Sequence, residues 1–449
     1  MAMEEKKDLI YGLNDRPPLR ETCFAALQHL LSIFVAIITP PLIISSALKY
    51  DVQTTGFLVS MSLFVSGIAT FIQSRRVGPI GTGLLCIQGT SFSFITPIIG
   101  AGMLGMVNGK MDVGLGLSYI FGGCMAASVV EMAVGRWLPY TRKVITPLVA
   151  GIVVTLIGLC LIKAGITSCG GGQTAIDNHT FGSLDNLGLA VLVLVSIIFF
   201  NRSNNRFLRM GSIVLGLLIG CVVAYCLGMI DFSKISADNP LNIAVPFKYG
   251  LHFDLGTIIA LGLIYLVTAV EAFGDITANS LISGEPVEGP VFMKRAQGGI
   301  LADGFNSMLA AVFNSFPNSI FAQNNGMIQL TGVASRYVGY YIAGALFVLG
   351  LFPVVGEFFS LIPDCVLGGA TLLMFGTVAA AGIRIIASSA LDRKAVLVLA
   401  ISFSMGMSVE LVPAILDQMP AMVKSIFSSG ITTGGVTAMI ANACIRIKK

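Results

Sequence analysis

Apolar blocks follow one another along almost the whole of this 449-residue chain. A helix needs about 17–25 mainly apolar residues to cross a bilayer. Charged residues make up only 11% of the chain, against about 25% in soluble domains. We therefore predict an all-α polytopic membrane protein with about fourteen transmembrane segments, some short or broken, at approximately 21–47, 54–73, 82–100, 114–135, 144–163, 185–200, 211–229, 254–281, 296–314, 316–331, 335–358, 365–387, 393–411 and 421–445.

Basic residues indicate how the chain is threaded, because cytoplasmic loops carry an excess of Lys and Arg. With fourteen segments and the amino terminus inside, 21 of the 27 Lys and Arg lie on the cytoplasmic side. The polar start of the chain has no apolar stretch that would mark a cleavable signal peptide. We expect a multi-pass protein with both termini in the cytoplasm.

The stretch 316–332 (FPNSIFAQNNGMIQLTG) is too polar for an ordinary membrane segment. Pro317 lacks an N–H, and the polar residues that follow it favour caps and turns. Gln323, Asn324 and Asn325 form an uncharged amide cluster. Broken backbone in a bilayer is tolerated where it faces protein or a water-filled cavity, and transporters build binding sites from it. A polar contact between helices or a loop outside the membrane is the alternative.

A weak internal repeat relates the fifth and twelfth segments. The run ITPLVAGIVVTLIGLCLIKAGI from Ile145 resembles IPDCVLGGATLLMFGTVAAAGI from Ile362. An offset of seven segments is odd, so the two copies run in opposite directions, which indicates an inverted repeat. The broken segments around Gln88 and Gln323 are also seven apart, and we expect them to face each other across one site. A chance match is the alternative.

Acidic residues inside apolar segments are costly and usually functional, and three of them are candidates here. Glu271 and Asp275 are four residues apart, on one helix face. Such a pair suits proton-coupled transport or a ligand with N–H donors. The alternative is a helix end in water that solvates Asp275. Asp303 follows two glycines, and we expect it to relay a proton or to hold the neighbouring broken segment rather than to lie at the surface.

His29 is the one histidine inside an apolar segment, and such a residue is more often a satisfied core residue than a titrating one. Its neighbour Gln28 points elsewhere on the helix. In CIQGTSFSF, the residues around Gln88, Ser91 and Phe92 form the counterpart of the amide cluster. Phe92 could stack on a planar ligand, with packing as the plain alternative.

Other features restrict the function. We assign no substrate role to Glu131, Glu357 or Glu410. Glu131 is near the cytoplasmic end of its segment, where it could form an ion pair with Arg136. The nine cysteines show no paired spacing, which favours reduced packing residues. No metal-ligand cluster, nucleophile triad or phosphate loop is apparent, so we expect no enzyme, cofactor or metal. The net charge of +4 comes from loops and gives no indication of nucleic acid.

Several motifs together resemble the nucleobase–ascorbate transporter family, and the bacterial xanthine permeases within it. The signature of that family is Gln, Glu or Pro, then Asn, any residue and Gly, and after four residues Thr followed by Arg, Lys or Gly. The run from Gln323 to Gly332 fits it. Gln28 and His29 match the Gln-His pair of the first segment. EAFGDITA and GGILADG match the acidic motifs of the eighth and ninth segments, and the resemblance covers nearly the whole chain.

The resemblance implies an architecture. The family fold has two inverted seven-span repeats, with short antiparallel strands in segments 3 and 10. After a cytoplasmic segment (1–20), it implies a core domain of spans 1–4 and 8–11 (21–135 and 254–358). A gate domain of spans 5–7 and 12–14 would comprise 136–229 and 362–449. Members are usually homodimers through the gate domain, and the core moves against the gate as an elevator.

The resemblance also implies roles for individual residues. Glu271 and Gln323 would grip the edge of a nucleobase, Phe92 would stack on it, and Ala322 and Ser91 would line the pocket. A second set would support proton coupling and the geometry of the core: Asp303, Asp275, His29, Asn324 and Gln28.

The implied function is proton symport of a purine across the bacterial cytoplasmic (inner) membrane. In the family, Gln at the first signature position accompanies xanthine and uric acid, Glu accompanies uracil and Pro accompanies ascorbate. The third-segment position that is Asn in some xanthine-selective members is Ser91 here, which predicts a wider pocket. A uracil-type symporter and an anion transporter on the same fold remain as alternatives, although the Glu271 and Asp275 carboxylates argue against an anion.

Overall fold

The structure is a computed structural model that describes residues 9–141, 144–234, 241, 244–420, 423, 424 and 427–445. It is predominantly helical, with the helices α1 to α18 at Leu19–Ala47, Val52–Arg75, Ile95–Gly102, Val113–Arg136, Leu138–Thr141, Pro147–Cys169, Gly172–Asp177, Leu184–Asn201, Arg206–Met210, Ser212–Cys226, Leu255–Ile282, Gly289–Val312, Ala322–Thr331, Arg336–Leu351, Pro353–Ser360, Asp364–Ala387, Arg393–Leu411 and Gly430–Cys444. The first eight and last four residues, on which part of the expected orientation depends, lie outside the described residues.

Among the described residues, eight helices are long and apolar enough to cross a membrane. They are α1, α2, α4, α6, α8, α11, α16 and α17. Polar side chains cap the starts of many helices, in agreement with the preference for Ser, Thr, Asp and Asn at the N-cap position. Caps that accept a hydrogen bond from the first turn include Asp51, Asp112, Thr146, Ser183, Asp254, Asp392 and Ser429.

The block expected at 335–358 is not one straight helix. It is divided into α14 and α15, which meet at 80°. The break follows from Pro353, which has no N–H to continue the helix, and from the extended backbone of Phe352. Beyond it, α15 lies against α2, where an added Cβ on Gly56 would come within 2.7 Å of the Glu357 side chain.

The third and tenth blocks are broken, and their strands pair with each other. Strand β1 (Gln88–Thr90) pairs antiparallel with β4 (Asn318–Ile320), with Gln88 opposite Ile320. A 3₁₀ turn at Phe92–Phe94 leads from β1 into the short helix α3, and α13 begins directly after β4. A second pair of strands, β2 (Met106–Val107) and β3 (Lys110–Met111), forms a hairpin after α3.

The same helix pairings occur in both halves of the chain when the fourteen predicted segments are numbered in order and compared seven places apart. Helix α6 lies along α16, α2 along α14, α4 along α12, α8 along α10, and α17 along α18. If each segment is replaced by the one seven places away, the contacting pair α2–α14 becomes the pair α12–α4, which is also in contact. In the same way, the pair α8–α10 becomes the pair α17–α18. The same exchange maps α6–α16 and β1–β4 onto themselves.

Glycines allow the central helices to pack backbone to backbone. A Cβ added to Gly158 of α6 would lie 2.3 Å from the backbone nitrogen of Ala379 in α16. A Cβ on Gly382 would lie 2.4 Å from the backbone nitrogen of Thr155. Such close contact is typical of membrane helices, whose interfaces are rich in small residues.

Candidate substrate site

Buried polar side chains of α12 hold the strand pair in place through a chain of hydrogen bonds. The Asn306 amide donates to Gln88 Oε1 at 2.5 Å, and the Gln88 amide donates in turn to Asp303 Oδ1. The hydroxyl of Ser307 donates to the carbonyl of Asn318 at 3.0 Å. Asp303 is therefore bonded to a side chain of β1, in the third segment rather than in the broken segment next to it, while its Oδ2 has no partner among the described residues.

The signature half-helix α13 is held by a second buried network. His29 Nδ1 donates to Asn324 Oδ1 at 2.8 Å, and the Asn324 amide donates to the Leu85 carbonyl at 2.5 Å. The Asn279 amide donates to the same carbonyl and to Asn325 Oδ1, both at 2.9 Å. His29 is thus tied to the signature motif, and these bonds leave Gln323 and Ala322, at the start of α13, partly exposed.

The third broken segment contributes a contact to α11. Ser93 donates to Glu271 Oε2 at 3.3 Å. The adjacent Phe92 is 7% exposed, and its ring meets Phe375 of α16 edge-on at 5.3 Å between centroids. Ser91 is also buried, and its hydroxyl has no partner within the described part of the chain.

A cavity of about 470 Å³ reaches the start of α13. It lies between α11 and α13 on one side and α6 and α16 on the other. Ala322, Gln323 and Asp275 are among its lining residues, and Thr377 and Arg384 face them from α16. Glu271 is one helical turn before Asp275, just beyond this lining. Asp275 is 1% exposed, and its Oδ2 has no partner among the described residues.

The structure separates Gln28 from these residues. Gln28 lines a different cavity of about 380 Å³, between the start of α1 and the segment before it, together with Tyr11 and Thr331. Neighbouring positions on a helix point about 100° apart, which is why Gln28 and His29 do not face the same site.

Several members of these networks were not predicted from the sequence. Asn279 lies four residues after Asp275, and Asn306 lies three residues after Asp303. Those spacings place each amide on the same helix face as the carboxylate. They are the sequence feature from which both amides could have been predicted as members of the networks. Glu131 was expected near Arg136. It is instead fully buried and accepts a hydrogen bond from Thr268 at 3.0 Å. In the part of the chain that the structure describes, no three His, Cys, Asp or Glu side chains are placed to hold a metal ion.

Solved structures show the fold. The transmembrane domain of the cyanobacterial bicarbonate transporter BicA aligns with a TM-score of 0.56 at 15% identity, covering 96% of this chain and 99% of that one. The murine anion transporter Slc26a9, in its inward-facing state, aligns with a TM-score of 0.59 at 12% identity, covering 92% and 68%.

Sequence relatives give the family. Residues 20–415 match the Permease family. The chain is 49% identical to the xanthine permease XanP of Escherichia coli K12, covering 98% of this chain and 96% of XanP. It is 45% identical to XanQ of the same organism, covering 97% and 93%, and 33% identical to the uric acid permease PucJ of Bacillus subtilis, covering 93% and 91%. The chain belongs to the nucleobase–ascorbate transporter family.

Proposed function

We propose that this protein is a proton-coupled symporter that imports purine nucleobases, chiefly xanthine, across the bacterial inner membrane without any catalysed reaction. The observation that carries this proposal is the cavity at the start of α13, where Gln323 and Ala322 face α16 and Asp275 lies close by. Uric acid is a second expected substrate. The names of the relatives, xanthine and uric acid permeases, support the purine class.

The substrate would be bound along its polar edge. Xanthine presents alternating N–H and C=O groups, so the Glu271 carboxylate would accept from N–H groups and the Gln323 amide would both donate and accept. Phe92 would stack on the ring, and Ala322 and Ser91 would line the pocket. A site of this kind strongly rejects an analogue that leaves its buried polar groups unpaired.

Proton coupling would use the buried carboxyls of the same helices. Asp275 and Asp303 each have one oxygen without a partner among the described residues. An ionised carboxylate left in that state inside a membrane protein is costly, which favours a proton on these groups for part of the cycle. His29 and Asn324 would keep α13 in place, and Gln28 would support α1 from the neighbouring cavity.

The proposed architecture is fourteen spans in two inverted repeats, with both termini cytoplasmic. The recurrence of the same helix pairings seven segments apart supports the two repeats. The cavity has α11 and α13 of the proposed core on one side and α6 and α16 of the proposed gate on the other, which supports an elevator movement of the core against the gate. The core would be 21–135 with 254–358, and the gate 136–229 with 362–449. The gate helices α8 and α17 are only 28% buried over their apolar windows, so they offer surface to lipid or to a second copy in a homodimer.

Uptake of radiolabelled xanthine by cells expressing the protein, with and without a protonophore, tests the proposal. We expect wild-type uptake to collapse with the protonophore, and Glu271→Gln to remove it. Glu410→Gln is the matched control, because Glu410 pairs with Lys163 at 3.8 Å on other helices. Uptake of uracil or of an anion, with none of xanthine, would contradict the substrate assignment. Uptake that ignores the protonophore would contradict the coupling.

A further inference from the structure

A fourth acidic residue, Glu131, is buried in the core and has no place in the function proposed above. It lies on α4 with its side chain fully buried. One carboxyl oxygen accepts the bond from Thr268, and the other has no partner among the described residues. Burying an ionised carboxylate with an unpaired oxygen costs several kcal/mol, so a structural role alone does not explain a carboxyl at this position.

The α4 turn that carries Glu131 packs directly on the α12 turn that carries Asp303. A Cβ added to Gly304 would lie 2.8 Å from the backbone nitrogen of Met132 and 3.0 Å from the carbonyl of Ser128. A Cβ on Gly135 would lie 2.6 Å from the backbone nitrogen of Leu301. The two helix backbones touch on both sides of Glu131, which brings two fully buried carboxyls, each with an unpaired oxygen, into one region.

The electrostatic surroundings of this region are acidic. The buried carboxyl of Asp303 has three acidic neighbours, Glu131, Glu271 and Asp275, whose charges would repel its ionised form. Glu131 in turn experiences the charge of Glu271. From α11, Tyr265 and Glu271 are the titratable groups that face it, and from α12 it is Asp303. No basic side chain acts on Glu131 or Asp303 among the described residues.

We propose that Glu131 and Asp303 bind the coupled proton as one unit and share it between their carboxyl groups. Two like charges in a low-dielectric region cannot both be ionised cheaply, so such carboxyls share protons. Binding of the coupled proton forms one O–H bond on either carboxylate and changes the charge of the pair from −2 to −1. The assignment rests on the proposed proton symport, and it makes Glu131 a residue that binds the coupled proton rather than a contact of the purine.

Two substitutions separate this role from a structural one, because they shift proton affinity in opposite directions. Glu131→Gln keeps the shape and the acceptor for Thr268 but removes a negative charge, so Asp303 should bind its proton less tightly. Thr268→Val removes the hydroxyl that stabilises the ionised form of Glu131, so the pair should bind its proton more tightly. We expect the midpoint of the fall in xanthine uptake with rising pH to move by about one unit, to lower pH for Glu131→Gln and to higher pH for Thr268→Val. Glu131→Asp should restore most of the wild-type profile.

A substrate-free measurement separates failure of this inference from failure of the proposed function. The infrared carboxyl absorption of the purified protein is followed against pH, with Glu410→Gln as the control. We expect a titration that Glu131→Gln removes or shifts and that Glu410→Gln leaves unchanged, whether or not xanthine is transported. Identical titrations of Glu131→Gln and wild type would overturn the pairing. So would uptake midpoints that move in the same direction for Glu131→Gln and Thr268→Val. If Glu131→Gln does not fold, Thr268→Val still decides, because a wild-type titration of Thr268→Val contradicts the pairing.

Discussion

At the scale of single residues, Gln323 is the side chain whose chemistry should decide the ligand. It is partly exposed at the first turn of α13 and lines the cavity. We predict that Gln323→Glu lowers xanthine uptake by about 10–100-fold, since a carboxylate cannot donate to a purine carbonyl and leaves it unpaired. Competition by unlabelled uracil should become measurable in the same cells.

A control for Gln323→Glu is available on the same half-helix. Gln329 also lines the cavity, two turns further along α13. Gln329→Glu introduces the same charge away from the start of the helix and should change xanthine uptake little. Equal losses in the two variants would mean that charge in the cavity, and not recognition at Gln323, is being measured.

Ser91 should widen the range of purines. Its hydroxyl is buried without a partner among the described residues, so it can serve a substrate group that a larger side chain would exclude. We predict measurable uptake of uric acid, which carries an additional oxygen at C8, and a lower ratio of uric acid to xanthine uptake in Ser91→Asn. Uric acid uptake at background, in cells that take up xanthine well, would refute the idea.

At the scale of elements, much was predictable from local composition. The polar stretch after Pro317 and the mixed segment around Gln88 were expected to be broken, and each is a strand followed by a short helix. The contact between Gln88 and Asp303 was not predictable, because the two residues are 215 positions apart and nothing local specifies the pairing. The burial of Glu131 was missed for the same reason, since it depends on how closely α4 approaches α12.

The α6–α16 crossing should be the least tolerant contact between two helices. We predict that Gly158→Ala destabilises the protein by about 1–3 kcal/mol, because the new methyl would overlap the backbone of Ala379. Gly376→Ala, on α16 itself, is the matched control, since a Cβ there meets nothing within 4 Å. Thermal unfolding of both purified variants in detergent tests this. A melting temperature for Gly158→Ala equal to that of Gly376→Ala would contradict the close packing.

At the scale of the whole molecule, two contacts join the end of α1 and the turn after it to helices of the proposed gate, at the end of α16 opposite the cavity. Ser46, at the end of α1, donates to Asp364 of α16 at 2.8 Å. Lys49 pairs with Asp177 of α7 at 2.6 Å. The Lys49 ammonium, followed by the Gln173 amide, holds the pKa of Asp177 below its usual value. The ion pair is therefore complete at neutral pH and is lost only as the pH falls through that lowered pKa.

The two contacts should differ in strength. A hydrogen bond to a largely buried carboxylate contributes about 1.5–3 kcal/mol, so we predict that Ser46→Ala increases opening of this end by about tenfold or more. Lys49→Ala should have little effect, because its ion pair is exposed to solvent. The rate at which an impermeant maleimide labels Ile95→Cys from outside the cell reports opening, since Ile95 is buried and lines the cavity at this end. Chains without Ile95→Cys give the background, and equal rates with and without Ser46→Ala would contradict the prediction.

The bond between His29 and Asn324 also has a consequence for how the protein is made. The two residues are 295 positions apart. At about 5–20 residues per second, the ribosome needs on the order of 15–60 s to deliver the partner of His29. Throughout that interval the imidazole of His29 lacks its hydrogen-bond partner, while the first helix is either in lipid or still in contact with the insertion machinery. The first half of the chain, synthesised alone, should therefore be a target for membrane quality control, and co-expression of the second half should rescue it.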